Sequence, residues 1–590
     1  MKLRSIIGLL MLAAATWASG QTTIYVATTG SDLTGDGTAG NPFLTISNAV
    51  AQAEAADVVL VATGRYELSS AILISKAVTV RSWNAGAGGV EDRENTILDG
   101  NMVCAPLRFA HASAWASGFT ITRGNGFRGY NNNFGGGVLM AGGILSNCIV
   151  KGNMASHWGG GIYMEPNANA LVVDCIVRDN YTTNTTSWGR GGGIFMRDDA
   201  GAIIKSSVIS NQSFASGGGI HASASTVISN CFVASNQLSS TGGALGGGIH
   251  VAGTNVLLVD CTISNNTSAL VGGGVSVAKG GFADVLGTTI VDNQARVRGG
   301  GFQADGAFVS NCVIRANRLY EPSRGGAGVA CGYINQAGAG TLTVVDTRII
   351  DNGLDSNTQY GGGVWIYTHG TAAFYNCEIT SNSMLATSEN SRFGAGMYIG
   401  TGSAHVVVQN CLIAGNKIEG EPDSKTGSGG GVYLGSVDCA NSGPSPLALT
   451  IQSCTITDNS ATRDYGGMYL AYNATEVTVL NTIVASNCAD RYHPDLHGEG
   501  DYRSSFSHSC APELTNVAQG NITNAPLFAG YDAGNYRMAQ GSPCVNAGTN
   551  LPWMADAVDL DGRCRLDRFS RQVDMGCYEY LPQGMILNLR

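Results

Sequence analysis

Trp365, Tyr398, Tyr433 and Tyr469 stand at one place in four consecutive units of a repeated sequence, the second residue after a glycine-rich triplet. Their neighbours are apolar, as in Val364 and Ile366, so strand alternation sends the neighbours inward and the rings outward. Flat rings with polar tips suit stacking on sugar faces, and these four are the candidate substrate-binding residues. The competing reading is a structural ring stack covered by loops 383–393 and 417–428, the longest of their class.

Other chemistry-bearing residues form no recurring set, and no catalytic residue is assigned. Hydrolysis or elimination on a glycan needs paired carboxylates, or a base beside a cation site. Asp198 and Asp199 are adjacent, which on a strand points them opposite ways, so a solvated turn is expected. His221 and His250 fall at equivalent places in their units and read as surface histidines. Asp559 and Asp561, in Asp-x-Asp-Gly, offer oxygens to Ca²⁺. A complete twelve-position calcium loop is missing, and a polar turn paired with Arg563 or Arg565 is the plainer reading. Calcium is the sole cofactor alternative, and no metal ligand is assigned.

The element that must position these residues is the repeat. Its reference position is Cys148, Cys175, Ser206, Cys231, Cys261, Thr288, Cys312, Thr347, Cys377, Cys411, Cys454 and Thr482, at intervals of 24 to 43 residues. Five residues later the chain always places Asn, from Asn153 to Asn487, and two residues later always Val or Ile. One residue before it stands Asn or Asp in nine of twelve units. Periods of this length mean stacked units, and the Val, Ile and Thr content makes them strands. Inward parity holds for positions −5 and −3 and again for 0 and +2, a slip of one residue. A bend at −1 explains the slip, since Asn and Asp tolerate the left-handed conformation. Short strands separated by bends and stacked at about 4.8 Å make a parallel β-helix. Cysteines in register on neighbouring turns keep their Cβ atoms too far apart for bridges, so the ladder thiols are expected reduced. Bridges are expected instead at Cys488–Cys510 and among Cys544, Cys564 and Cys577.

The Gly-Gly-Gly-[Ile/Val] start and the [Ile/Val]-x-x-Asn end of each unit resemble the repeats of chlamydial polymorphic outer-membrane proteins. More broadly they resemble right-handed, pectate-lyase-like β-helix proteins of bacterial surfaces, over about residues 57–490. The family's Phe is Val or Ile here. The resemblance implies a right-handed coil. "GSPCVNAGTN" from Gly541 and "DLDGRCRLDRFSRQVDMGCYEY" from Asp559 resemble the choice-of-anchor Q region found behind such helices.

The chain is then expected to divide into a signal peptide (1–20), an N-terminal strand and capping helix (21–56), β-helix repeats (57–490) and a small β-rich C-terminal region (491–590). Met1-Lys2-Leu3-Arg4 and the apolar run after it read as an export signal. The capping helix would use Ile46, Ala49, Val50 and Ala53 as its buried face. A net charge of −10 with 13% charged residues and no basic cluster disfavours nucleic acid. No later stretch reaches the roughly 18 apolar residues of a membrane helix. The expectation is an all-β, monomeric, secreted or cell-surface protein, with association with the outer membrane as an alternative. It would bind or adhere to polysaccharide or another surface. A polysaccharide lyase or glycoside hydrolase and a structural spacer are the alternatives.

Overall fold

The computed structural model describes residues 21–581, except 130–131, 187, 241–242, 244, 321–324, 333–340, 355–359, 367–370, 387–391, 401–404, 421–426, 436–447, 472–475, 516–518 and 567–569. Each turn runs one circuit, which residues 159–182 illustrate. A glycine triplet opens into the strand Ile162–Met164, a loop leads to Ala170–Val173, and a corner at Asp174 leads to Ile176–Arg178. A second corner at Asp179 leads to the two-residue strand Tyr181–Thr182. Each strand pairs in parallel with its counterpart one turn on, as in Ile162↔Ile194, Leu171↔Ala202 and Ile176↔Ser207. Among the described residues the three main faces hold 17, 15 and 15 strands. The result is a parallel β-helix filled by one continuous aliphatic core that includes Met164, Val172, Cys175 and Val177.

The bend expected at −1 is present in every unit. φ is 46° at Asn147, 52° at Asp174, 50° at Asn481 and 58° at the one glycine, Gly287. A second left-handed corner precedes each ladder asparagine, with φ of 57° at Asp179, 55° at Ser210 and 53° at Ala316.

The asparagines at +5 form an internal hydrogen-bonded ladder. Asn266 illustrates it: its Nδ2 donates to Asn293 Oδ1 at 2.9 Å and to Val233 O at 2.9 Å. Its own Oδ1 accepts from Asn236 N and Asn236 Nδ2, both at 2.9 Å. Every ladder amide is thus satisfied in an interior where an unpaired one would cost about 1–3 kcal/mol. The glycine triplet follows from the same geometry. Gly159 takes φ 66°, a Cβ on Gly160 would lie 2.3 Å from Gly192 O, and a Cβ on Gly161 would lie 2.9 Å from Asn180 Nδ2. Where no further asparagine follows, Asp495 takes the third triplet position and accepts from Asn487 N at 2.7 Å and Asn487 Nδ2 at 2.9 Å. Burial pushes its carboxyl up to about 6.

At the N-terminal end the helix Ile46–Gln52 buries Ile46, Ala49 and Val50 against the first turn, and Thr45 Oγ1 caps it by accepting from Asn48 N. At the other end the coil carries on past residue 490, through Leu496–Gly498 and Phe506–Ser507. Residues beyond 525 fold back along the outside of the last turns. Leu412 and Ala414 pack on Cys577 and Tyr578, and the corner residues Asn410 and Asn481 hydrogen-bond Val558 O and Thr549. The strands of this region are Phe528–Gly530 and Asn535–Met538.

The ladder cysteines are buried free thiols, as expected, and burial pushes Cys312 up to about 11. The expected C-terminal bridges are corrected. Cys488 is exposed on the coil flank, while Cys510 is buried beside Cys544, and every described cysteine is a thiol. The fold-back at the C-terminus sets which cysteines are neighbours, which sequence spacing does not encode.

Candidate functional site

The four candidate rings are in register as expected: Trp365↔Tyr398, Tyr398↔Tyr433 and Tyr433↔Tyr469. They point away from the main core, and Tyr398, Tyr433 and Tyr469 stack successively at 5.8 Å and 4.7 Å. They are covered, as the ring-stack reading has it. Trp365 is 2%, Tyr398 0% and Tyr469 7% exposed, and Tyr433 is half-buried. The cover is the residue just before each triplet, here Tyr360 and Phe393, which packs over the file to make a second, outer core. The phenols find partners inside it: Tyr398 donates to Gly435 O at 3.0 Å and Tyr469 to Glu499 Oε1 at 2.9 Å. Burial raises the Tyr433 and Tyr469 hydroxyls well above the usual phenol range. Parts of loops 383–393 and 417–428 lie outside the described residues.

A second run of rings lies in the earlier turns of the same file. Phe134, Trp158, Tyr163 and Phe195 stack within 4.8–6.2 Å of one another. His221 continues the stack at 4.4 Å and 5° from Phe195, and His250 follows at 5.1 Å. These imidazoles are not on the surface; they are 2% and 4% exposed. Burial pulls His250 down to about 3 and His221 well below the usual range, so both stack as neutral rings. Ser216 Oγ lies 2.8 Å from His221 Nδ1.

The other candidates are structural. Asp198 and Asp199 are exposed in a turn, where Asp198 Oδ1 accepts from Ala224 N. Asp559 uses Oδ1 on the backbone N–H groups of Asp561 and Arg563 and Oδ2 on that of Glu579. Asp561 pairs with Arg537 and Arg563, and Arg537 holds its carboxyl below the usual range. Protein donors therefore occupy the carboxylates considered for calcium, and the residues present do not fit a calcium loop. Among the described residues no group of three His, Cys, Asp or Glu side chains is placed to hold a metal.

The file opens at its C-terminal end. Tyr465 stacks on Tyr469 at 4.6 Å, His497 on Tyr465 at 4.9 Å and 3°, and His493 on His497 at 4.3 Å. His493 and Tyr492 are exposed, and Tyr465 and His497 are half-buried. Burial, and then the neighbouring His493, lower the His497 pKa. Two of these residues break the backbone rule of the repeat. In earlier units the first triplet residue is glycine, with φ between 57° and 77°. Tyr465 holds φ 64° and His493 holds φ 49° at that position. A bulky residue there carries strain of order 1 kcal/mol or more. The substitution is visible in the sequence as Tyr465-Gly466-Gly467 and His493-Pro494-Asp495, although attention to the residue after the triplet passes over it.

This edge can therefore offer stacked, rigid, solvent-open rings with imidazole and carboxylate groups beside them. Comparison with solved structures aligns a pectate lyase, Pel9A, at 10% identity over 96% of this chain and 98% of that one, with a TM-score of 0.28. It also aligns XylC in complex with xylose (9% identity, 95% and 99%, TM-score 0.23). A GH136 lacto-N-biosidase from Eubacterium ramulus aligns at 9% over 70% and 68%, with a TM-score of 0.22. Likenesses this distant carry no argument about activity. No curated protein sequence matches the chain. The family model of the right-handed β-helix region matches residues 181–379 and 333–502. These stretches together span more than half of the 590 residues, and the chain belongs to the right-handed β-helix family.

Proposed function

We propose that the protein is a secreted or cell-surface rod that binds polysaccharide through the open end of its ring file. The observation that carries this reading is the pair Tyr465 and His493, bulky rings held at left-handed positions that glycine fills in earlier units. Strain kept at an open surface is a feature that folding alone does not favour. Trp365, Tyr398, Tyr433 and Tyr469 then serve as the rigid backing of the platform, and Tyr469 orients Glu499 at its rim. The C-terminal segment, by its resemblance to choice-of-anchor Q regions, would be the attachment end. The test is depletion of the purified protein by insoluble polysaccharides, including pectin, xylan, chitin and cellulose, with product assays on the same samples. Retention without new reducing ends or unsaturated products is expected. Retention by none contradicts the reading, and new chain ends replace it with a lyase or hydrolase working at the same edge.

A further inference from the structure

The residue before each triplet forms a continuous parallel ladder along the rod: Trp158↔Arg190↔Ser216↔Leu245↔Val271↔Arg298↔Gly325↔Tyr360↔Phe393↔Ser428↔Asp464↔Tyr492. The open rings Tyr465 and His493 sit beside its last two members. Near its other end, Trp188 is 49% exposed, two residues from Arg190. Trp158 lies 6.2 Å from the Trp188 ring, and Arg190 Cζ lies 5.7 Å from its centroid. His157 stands 6.5 Å away. Trp158 itself is clamped between Phe134 at 4.8 Å and Phe195 at 5.2 Å, with Arg197 Cζ 5.6 Å over its ring. Its Nε1 is buried with no hydrogen-bond partner.

This patch is an exposed indole tilted 40° to the Trp158 ring, with Arg190 over its own ring, Arg197 over that of Trp158 and His157 beside it. A sugar lays its C–H face on such an indole, and a guanidinium fork matches a carboxylate at the sugar's edge. Arg197 Nη1 also donates to the Tyr163 hydroxyl at 3.4 Å, and Glu165 acts electrostatically on that hydroxyl.

We infer that Trp188, Trp158, Arg190 and Arg197 form a second sugar-binding station, on the same edge as Tyr465 and His493, and that the ligand is an extended acidic polysaccharide lying along the rod. The inference rests on the binding role proposed above and specifies its ligand. Nine rungs separate Arg190 from Asp464 on the ladder, about 43 Å at the parallel-strand spacing. A short oligosaccharide reaches one station, while a polymer engages both and gains avidity without any new contact.

The experiment measures the affinity of the full chain for polygalacturonate, alginate and oligogalacturonides of increasing length, and for fully methyl-esterified polygalacturonate. Affinity is expected to rise sharply once the oligomer spans both stations, and to fall with esterification. Trp188→Ala should weaken polymer binding about 10²-fold while leaving the shortest oligomers at the Tyr465 station unaffected. Trp188→Phe should retain most of the affinity, and thermal midpoints serve as folding controls. Three results overturn the inference while leaving the broader reading intact: equal polymer affinity in Trp188→Ala, no length threshold, or retention on neutral polysaccharides alone. Retention on no polysaccharide at all overturns both.

Discussion

Inside the coil one arrangement repeats without a break, from Asn153 to Asn487, each amide bonded to the next. Along the outer edge the file changes character twice. Rings run from Phe134 to Phe195, then neutral imidazoles and the buried polar Ser276 and Gln303, then rings again from Trp365 to His497. The interior has no latitude, because a missing asparagine leaves its neighbours' polar groups unpaired. The edge has latitude because its residues pack on side chains of adjacent turns and need only fill space. Function can therefore be written on the edge, and the interior can only carry it.

Substitutions at the covered part of the edge should cost the most stability. Trp365→Ala combined with Tyr398→Ala should cost more than 5 kcal/mol, since a single buried Trp or Phe to Ala change costs about 3–5 kcal/mol. Chemical denaturation would show it, and a stable double variant would mean that these rings are a surface file after all. In the interior, Asn293→Ala leaves Asn266 N without its partner, takes one of two acceptors from Asn266 Nδ2 and removes the bond to Ile263 O. A loss of about 3–4 kcal/mol is expected from the same measurement.

A pH series sharpens the contrast at the middle of the edge. His250 and His221 have folded pKa values below the unfolded value of about 6.5, so the folded state binds fewer protons than the unfolded one. Their contribution is fully present above pH 6.5 and is lost as pH falls, for His250 down to about 3. His250 should account for about 2 kcal/mol lost between pH 6.5 and 5. His250→Gln should flatten that acid limb, and an unchanged slope would show that the imidazole is charged or solvated in the native state.

The interior was largely legible in the sequence, because each requirement there is met by one residue type at one spacing. The corner at −1 shows as Asn or Asp, and the ladder shows as Asn at +5. The second corner, at +4, was hidden because Gly152, Asp179, Ser210 and Ala316 all meet one backbone demand with different side chains. At the edge, alternation gave the direction of Trp365 and Tyr398 correctly but not their burial. Their cover comes from Tyr360 and Phe393, at the position just before each triplet, where the residue type changes from unit to unit and gives no repeating signal. For the same reason the burial of His221 and His250 does not show in the sequence. The fold-back that brings Cys510 to Cys544 depends on contacts between the coil and its tail, which no local spacing records.

The central claim is that Tyr465 and His493 are kept at left-handed positions for binding and not for folding. Replacing both in one variant, Tyr465→Gly with His493→Gly, restores the glycine of the earlier units at each position. Relief of backbone strain, of order 1 kcal/mol per site, should offset the lost ring contacts and leave the thermal midpoint equal to or above that of the parent protein. Retention on the polysaccharide that best depletes the parent should fall at least tenfold in the same samples. A variant that loses stability yet keeps its retention would contradict the account, because the two rings would then be packing residues with no part in binding.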